Sequence, residues 1–269
     1  MSRFALLGAF LRRDAMVQVS YRADLALQLT TIVFTLALFF YLGKLIDEST
    51  LGEEAGFDRG YFAFAVIGIA LLRIVQTGLT SFAQRLRQEQ TTGTLEALLA
   101  TPARTSNVIL FSAAYDLLRA TVLAGVLMLA AILFFGVDLQ SGPGALIAAV
   151  VTLAILLVLF ASLGVLLAAF TIVFKQTTAI LGLSVTGLAL LGGVYFPLDL
   201  LPAPLNTVGE ALPFTWGLDV MREALLAGEV EVDRMALLAA VSAAALPASF
   251  WVFSHALRRA QRDGSLAQY

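Results

Sequence analysis

Cysteine is missing from the 269 residues, and histidine occurs once, at His255. Disulfides, thiolate metal sites and thiol nucleophiles are therefore excluded, and one imidazole is too few for a zinc cage or a hydrolytic triad. His255 reads instead as a headgroup-level residue ending the last helix. Charge is scarce as well. Only 13% of residues are charged against 59% hydrophobic, whereas ordinary globular chains carry about one-quarter charged. A soluble chain of this length would need that charge to cover its surface. A phosphate loop is also lacking: the two lysines stand in Gly-Lys-Leu at Lys44 and Phe-Lys-Gln at Lys175, and neither is the Gly-Lys-Ser/Thr that cradles phosphates. This chain is not read as an ATP binder or an enzyme. No secretory signal is read at the start, because Arg3, Arg12, Arg13 and Arg22 lie there without a short apolar core and cleavage site.

What is present in excess is long apolar runs. Several exceed the roughly 18–20 residues that cross a bilayer core of ~30 Å. The expected fold is all-α and integral to the membrane, with spans at 25–46, 60–82, 108–136, 145–173, 177–196 and 236–256. Residues 1–24 precede this six-helix domain of 25–256, and 257–269 form a tail. Eleven Lys and Arg fall in the segments on one side of these spans, against four on the other, where Asp47, Glu48, Glu53, Glu54 and Asp58 crowd one loop. The positive-inside rule then places both termini in the cytoplasm of a plasma (inner) membrane protein.

Three segments are not simple spans. Residues 3–21 put Phe4, Leu7, Phe10 and Leu11 on one side of a helix and Arg12 and Arg13 away from it, as an interfacial helix would. In the link 83–107, Gly93 can cap a short helix with Glu96 in its first turn and Leu95, Leu98 and Leu99 on one side, until Pro102. Such an apolar patch outside the membrane asks for a partner or lies on the bilayer. The external link 196–235 holds four of the seven prolines yet stays apolar. Pro204 suits a first helical turn, and a second piece runs from Thr215 to Leu226 and ends at Gly228. Apolar, repeatedly broken backbone fits a re-entrant helical hairpin covered by protein. No internal repeat is visible, which counts against the inverted-repeat plan of many carriers.

Ionisable residues inside spans cost about 2.5–3.5 kcal/mol on insertion scales. Arg73 in the second span and Asp116 in the third each sit roughly 14 Å from the cytoplasmic end at 1.5 Å per residue. Asp116 is expected to pair with Arg73, with Arg119 one turn away, or with both. A structural ion pair and a role in substrate recognition both remain open. Thr77 and Ser81 continue the polar side of the second helix, which faces the bundle or a water-filled cavity. Thr178, Gly182 and Thr186 recur every four residues on the fifth, a stripe that lets another helix approach.

Two stretches carry a family resemblance. The run from Arg87 to Pro102, with Glu89, then Gly93-Thr94-Leu95-Glu96, then Leu98-Leu99, resembles the segment after the second helix of type-2 ABC exporter permeases. Gly192-Gly193-Val194-Tyr195-Phe196-Pro197, followed by Leu212-Pro213-Phe214-Thr215-Trp216 and Arg222, is similar to that family's fifth-helix end and its Asn-Pro-Leu-Thr-Tyr…Arg signature. Leu212 stands for the usual Asn and Trp216 for the usual Tyr. The resemblance implies that Glu89, Gly93, Thr94, Leu95, Glu96, Leu98 and Leu99 couple to an ATPase. It implies an external gate at Gly192, Gly193, Tyr195, Phe196, Pro197, Pro213 and Phe214. It also implies that Thr77, Ser81, Thr178, Gly182 and Thr186 line the path or dimer axis. The implied partners are two cytoplasmic ATP-binding cassette subunits, which carry the ATP and magnesium, and a second copy or a paralogous permease, in membrane lipid and with no nucleic acid.

The function expected from this is ATP-driven export of an amphiphilic or hydrophobic small molecule, drug-like or lipid-like. Export of a lipid-linked polysaccharide is the sibling reading. An ion- or proton-coupled carrier with Arg73 and Asp116 as relay is the alternative of another class. An intramembrane enzyme lacks a Ser/His or two-aspartate constellation within the spans.

Overall fold

The computed structural model describes residues 22–46, 60–91, 105–139, 142–174 and 178–262, together with Gly8, Arg12 and Met16. Every regular element among the described residues is helical. Among the described residues, five helices are long and apolar enough to cross a membrane. They are α1 (Arg22–Leu45), α2 (Tyr61–Thr91), α3 (Thr105–Phe135), α4 (Pro143–Phe174) and, later in the chain, α8 (Val232–Arg262). Over the span expected at 177–196, the described part of α5 (Thr178–Leu191) has 14 residues, and residues 175–177 before it lie outside the described residues. Its end is set by Gly192 and Gly193. The Gly192 amide makes a last bond to the Leu188 carbonyl, and Gly193 turns the chain at φ 69°, a conformation that favours glycine.

The centre of the bundle is α2. Its apolar stretch is 78% buried, against 11% for α1 and 17% for α3. It packs between α3 and α4, with α8 lying along α4 and α1 against the α2–α3 side. Small residues permit the closest of these contacts. At the α2–α4 crossing Gly78 meets Gly164 so tightly that a Cβ on Gly164 would strike the Gly78 carbonyl. Backbone-to-backbone approach of this kind maximises packing between helices that have no hydrophobic drive toward each other in lipid. On the neighbouring crossing, the Ser242 hydroxyl of α8 donates to the Ile155 carbonyl of α4 at 3.2 Å.

The two ends of the bundle differ. Phe82 and Ala83 near the end of α2, Val165, Ala168 and Ala169 on α4 and Phe253 on α8 share one cluster. Gln28, early in α1, lies at this same level, beside Ser81 and Gln84. The start of α1 and the end of α8 therefore share one end, called here the terminal end. At the opposite, hairpin end, Phe40, Phe62 and Phe135 form an aromatic triangle with centroids 5.1–5.6 Å apart, and Lys44 sits over the Phe40 ring.

The hairpin itself follows Gly193. A 3-10 turn (Leu198–Leu200) leads to α6 (Ala203–Glu210), which starts with Pro204 in its first turn. Next, α7 (Pro213–Arg222) runs into a π-helical turn (Glu223–Ala227), which Gly228 terminates at φ 75°. Pro204 lies in a first helical turn and the second piece ends at Gly228 as expected, but that piece opens at Pro213 and not at Thr215. Phe214, Thr215, Gly217, Leu218 and Val220 are buried, and α7 packs on α4, α8 and α2.

Candidate functional site

Two polar sites are built into this apolar bundle. The first is a cavity of about 460 Å³ near the terminal end, between α1, α2 and α3. Gln28 enters from α1, Thr77, Thr80, Ser81 and Gln84 from successive turns of α2, and Asp116 and Arg119 from α3. Arg119 Nη2 donates to Asp24 Oδ2 at 2.8 Å, and Gln28 Nε2 donates to the same oxygen at 2.6 Å. Asp24 sits in the first turn of α1, where the helix dipole favours a negative charge. Thr77 and Thr80 direct their hydroxyl protons to the carbonyls of Arg73 and Gln76 on their own helix. Ser81 is 3% exposed, and its hydroxyl has no partner among the described residues.

The intramembrane charges expected to cluster are divided by the structure. Asp116 and Arg119 line one cavity, but Arg73 is not at its wall; its Nη2 reaches Thr35 Oγ1 of α1 at 3.4 Å. Asp116 lies beside the Thr77–Gln84 stretch of α2, whereas Arg73 lies beside Thr35 of α1.

The second site is at the hairpin end. Arg222, the last residue of α7, points its guanidinium between α2 and the turn after α5. Nη2 donates to the carbonyls of Gly193 at 2.9 Å, Val194 at 3.2 Å and Phe64 at 3.2 Å. The group also lies over the Phe64 ring, 3.3 Å from its centroid. Gly68 makes room for this, since a Cβ there would lie 2.6 Å from the Val194 carbonyl oxygen and 3.0 Å from Nη2. Burial pushes the Arg222 guanidinium down to about 9, with nearby Asp219 opposing the change. Asp219 is held above the usual carboxylate range by its own burial, although Arg222 and Arg234 pull it back. Arg234 Nη1 lies 3.3 Å from Asp219 Oδ2. A cavity of about 650 Å³ opens beside these groups, with Asp199, Glu210 and Trp216 in its wall.

The bend between α6 and α7 is fastened by side chains. Thr215 Oγ1 donates to the Gly209 carbonyl at 2.7 Å, and Trp216 Nε1 to that of Glu210 at 2.6 Å. Comparison with known proteins decides what this arrangement belongs to. The sequence profile described as "ABC-2 type transporter" matches residues 7–226. The chain belongs to the ABC-2 type transporter family. It is also 30% identical over 170 residues to proteins named "Inner membrane transport permease YadH" from Escherichia coli (strain K12) and Shigella flexneri. That match spans 63% of this chain and 64% of each relative, so it covers less than two thirds of the curated relatives' length.

In this ABC-2 chain the residues expected at an external gate are gathered at the hairpin end. Phe214 is fully buried, edge-on to Phe160 with centroids 6.0 Å apart. Gly192 has no room for a Cβ beside the Phe214 ring. Tyr195 stacks on Phe39 at 5.7 Å, Phe196 follows it half-buried, Pro197 lines the 650 Å³ cavity, and Pro213 opens α7. The residues expected on a path or dimer axis are split: Thr77 and Ser81 turn toward the α1–α3 cavity, while Gly182 and Thr186 are exposed on α5. Gly93, Thr94, Leu95, Glu96, Leu98 and Leu99 lie outside the described residues, as do most of residues 3–21 and the side chains of Glu89 and Thr178. Asp24 and the clamp role of Arg222 were missed in the sequence. Asp24 stands at the edge of its span like any headgroup-level charge. Arg222 belongs to the family signature, and a cation in an otherwise apolar, buried segment is the signal that singles it out.

Proposed function

We propose that this chain is the membrane-spanning permease subunit of an ATP-binding cassette exporter, powered by ATPase subunits on separate chains. The match of residues 7–226 to the ABC-2 transporter family carries this reading. The relatives named as inner membrane transport permeases support it, and so does the lack of a phosphate loop in the sequence. In this reading the terminal end of the bundle faces the cytoplasm of the inner membrane, and the segment Gly93–Leu99 docks on the ATPase. The hairpin end, held by Arg222, is the external gate. Two such chains assemble around the translocation path, and the cargo is an amphiphile. The ion-coupled relay loses ground, because Arg73 bonds Thr35 and stands apart from the cavity of Asp116.

The test is reconstitution. The chain is co-expressed with candidate phosphate-loop ATPases, purified by a tag on the permease and assayed for ATP hydrolysis. The two proteins are expected to co-purify, and Gly93→Pro or Glu96→Lys to lower ATP hydrolysis without loss of the permease. Failure of any cassette ATPase to bind, with both variants silent, would end this reading.

A further inference from the structure

The cavity between α1, α2 and α3 has a chemistry of its own. Its polar wall alternates acceptors and donors. Thr77 and Thr80 donate to their own helix and keep oxygen lone pairs. Gln28 donates to Asp24 and keeps its carbonyl oxygen. Gln84 offers both halves of an amide, and Arg119 has N–H groups beyond the one given to Asp24. Ser81 adds a hydroxyl that is 97% buried, since only 3% is exposed, and unpartnered among the described residues. A buried hydroxyl left unmade costs roughly 1–3 kcal/mol, so a ligand group that satisfies it binds with that advantage.

This wall selects among ligands. An anion accepts only, and would leave the threonine and glutamine oxygens unanswered. A quaternary ammonium wants an aromatic cage, and the cavity wall has no aromatic residue among those described. Hydroxyl groups, which donate and accept at once, match it. The volume of about 460 Å³ suits one small head, within the ~300–1,000 Å³ of ligand pockets. Beside it the helices are bare and apolar: Leu25 and Leu29 flank Gln28 in α1, and Leu118 and Val122 flank Arg119 in α3, all four exposed. An acyl chain has a surface to lie on.

We propose that this cavity binds the hydroxyl-bearing polar head of an amphiphile, with its tail along the exposed apolar residues of α1 and α3. The proposal rests on the permease reading for its purpose, as the point where cargo is taken from the leaflet, but not for its test. The full chain in nanodiscs, without ATPase, is titrated with increasing mole fractions of monooleoylglycerol while thermal unfolding is followed. A saturable rise in Tm is expected. Ser81→Ala and Gln84→Leu are expected to raise the half-saturating mole fraction about tenfold each, the effect of one lost hydrogen bond of ~1.4 kcal/mol. Ser81→Ala should at the same time leave the ligand-free protein as stable as the parent or more so, because it removes an unpartnered hydroxyl. Two further probes separate the sources. Methyl oleate, which has the tail without hydroxyls, and free glycerol, which has the hydroxyls without a tail, are both expected to give no saturable shift. An equal response to methyl oleate reduces the site to tail burial, and an equal response to glycerol assigns it to a free solute; either overturns the proposal. So does a monooleoylglycerol shift that is absent or unchanged in both variants. If the ATPase co-purifies while that shift is absent, the permease reading stands and this site falls.

Discussion

Arg222 concentrates more bonding than any other cation in the described structure, and it does so with backbone. Its three acceptors belong to two segments, Phe64 on α2 and Gly193 and Val194 in the turn after α5. The guanidinium therefore acts as a bolt between α7, the central helix and the end of α5. Removing it leaves carbonyls in an apolar setting, each costing about 1–3 kcal/mol when unmade. Arg222→Met is expected to destabilise the protein by about 3 kcal/mol or more, measured by thermal unfolding in nanodiscs. Arg222→Lys should lose less, since an ammonium keeps the charge but not the planar fork or the full stacking on Phe64. A Met variant as stable as the parent would mean that the clamp carries no load. A gain is available ten residues earlier. Leu212 occupies the N-cap of α7 with extended dihedrals, φ −77° and ψ 127°, and makes no side-chain cap bond. Asn there can accept from the first-turn amides, so Leu212→Asn is expected to stabilise the protein by about 1 kcal/mol. A lower unfolding temperature would show that packing of the Leu212 side chain outweighs the cap.

Among the elements, the α2–α4 crossing sets how closely the bundle can pack. Gly78 and Gly164 bring two backbones together, and Phe82 also closes over Gly164. Gly164→Ala is expected to push α2 and α4 apart and cost about 1–3 kcal/mol, the usual range for overpacking. Gly125→Ala on α3 is the matched control. A Cβ there meets nothing within 4 Å, so the change should be neutral or stabilise by up to about 1 kcal/mol through helix propensity. Equal effects of the two, in unfolding of the purified variants, would remove the crossing from the account. These elements also show what a sequence can carry. Apolar length marks α1 to α4 and α8 clearly, because crossing hydrocarbon demands it, and Pro204, Pro213 and Gly228 mark the pieces of the hairpin through backbone geometry that other residues adopt poorly. The rotation of each helix is another matter. An apolar run such as α4 is hydrophobic all round, so nothing in it says which side meets α2 and which meets α8. The level at which two helices meet is equally hidden. Counting residues from a span's edge puts Arg73 and Asp116 level, whereas in the fold Arg119 turns to Asp24 and Arg73 to Thr35.

For the whole molecule, the uneven covering of the helices is the guide to assembly. The core is closed around α2, yet α5 leaves Gly182, Leu183 and Thr186 exposed. A Cβ on Gly182 or Gly187 meets nothing within 4 Å. Lipid can cover the leucine, but a glycine-containing face offers lipid little and offers another helix a close approach. In a two-fold assembly the residues nearest the axis meet their own copies, and a disulfide forms only where the Cα atoms come within about 7 Å. The chain has no cysteine of its own, so single substitutions can be read without background. Gly182→Cys and Thr186→Cys are expected to give covalent dimers on mild oxidation in native membranes. Leu129→Cys, on the exposed face of α3, is expected to stay monomeric and to report random collision. Dimers at 129 without dimers at 182 or 186 would move the axis away from α5. Dimers at 182 and 186 alone would make the fifth helix the seam at which two copies of the chain meet.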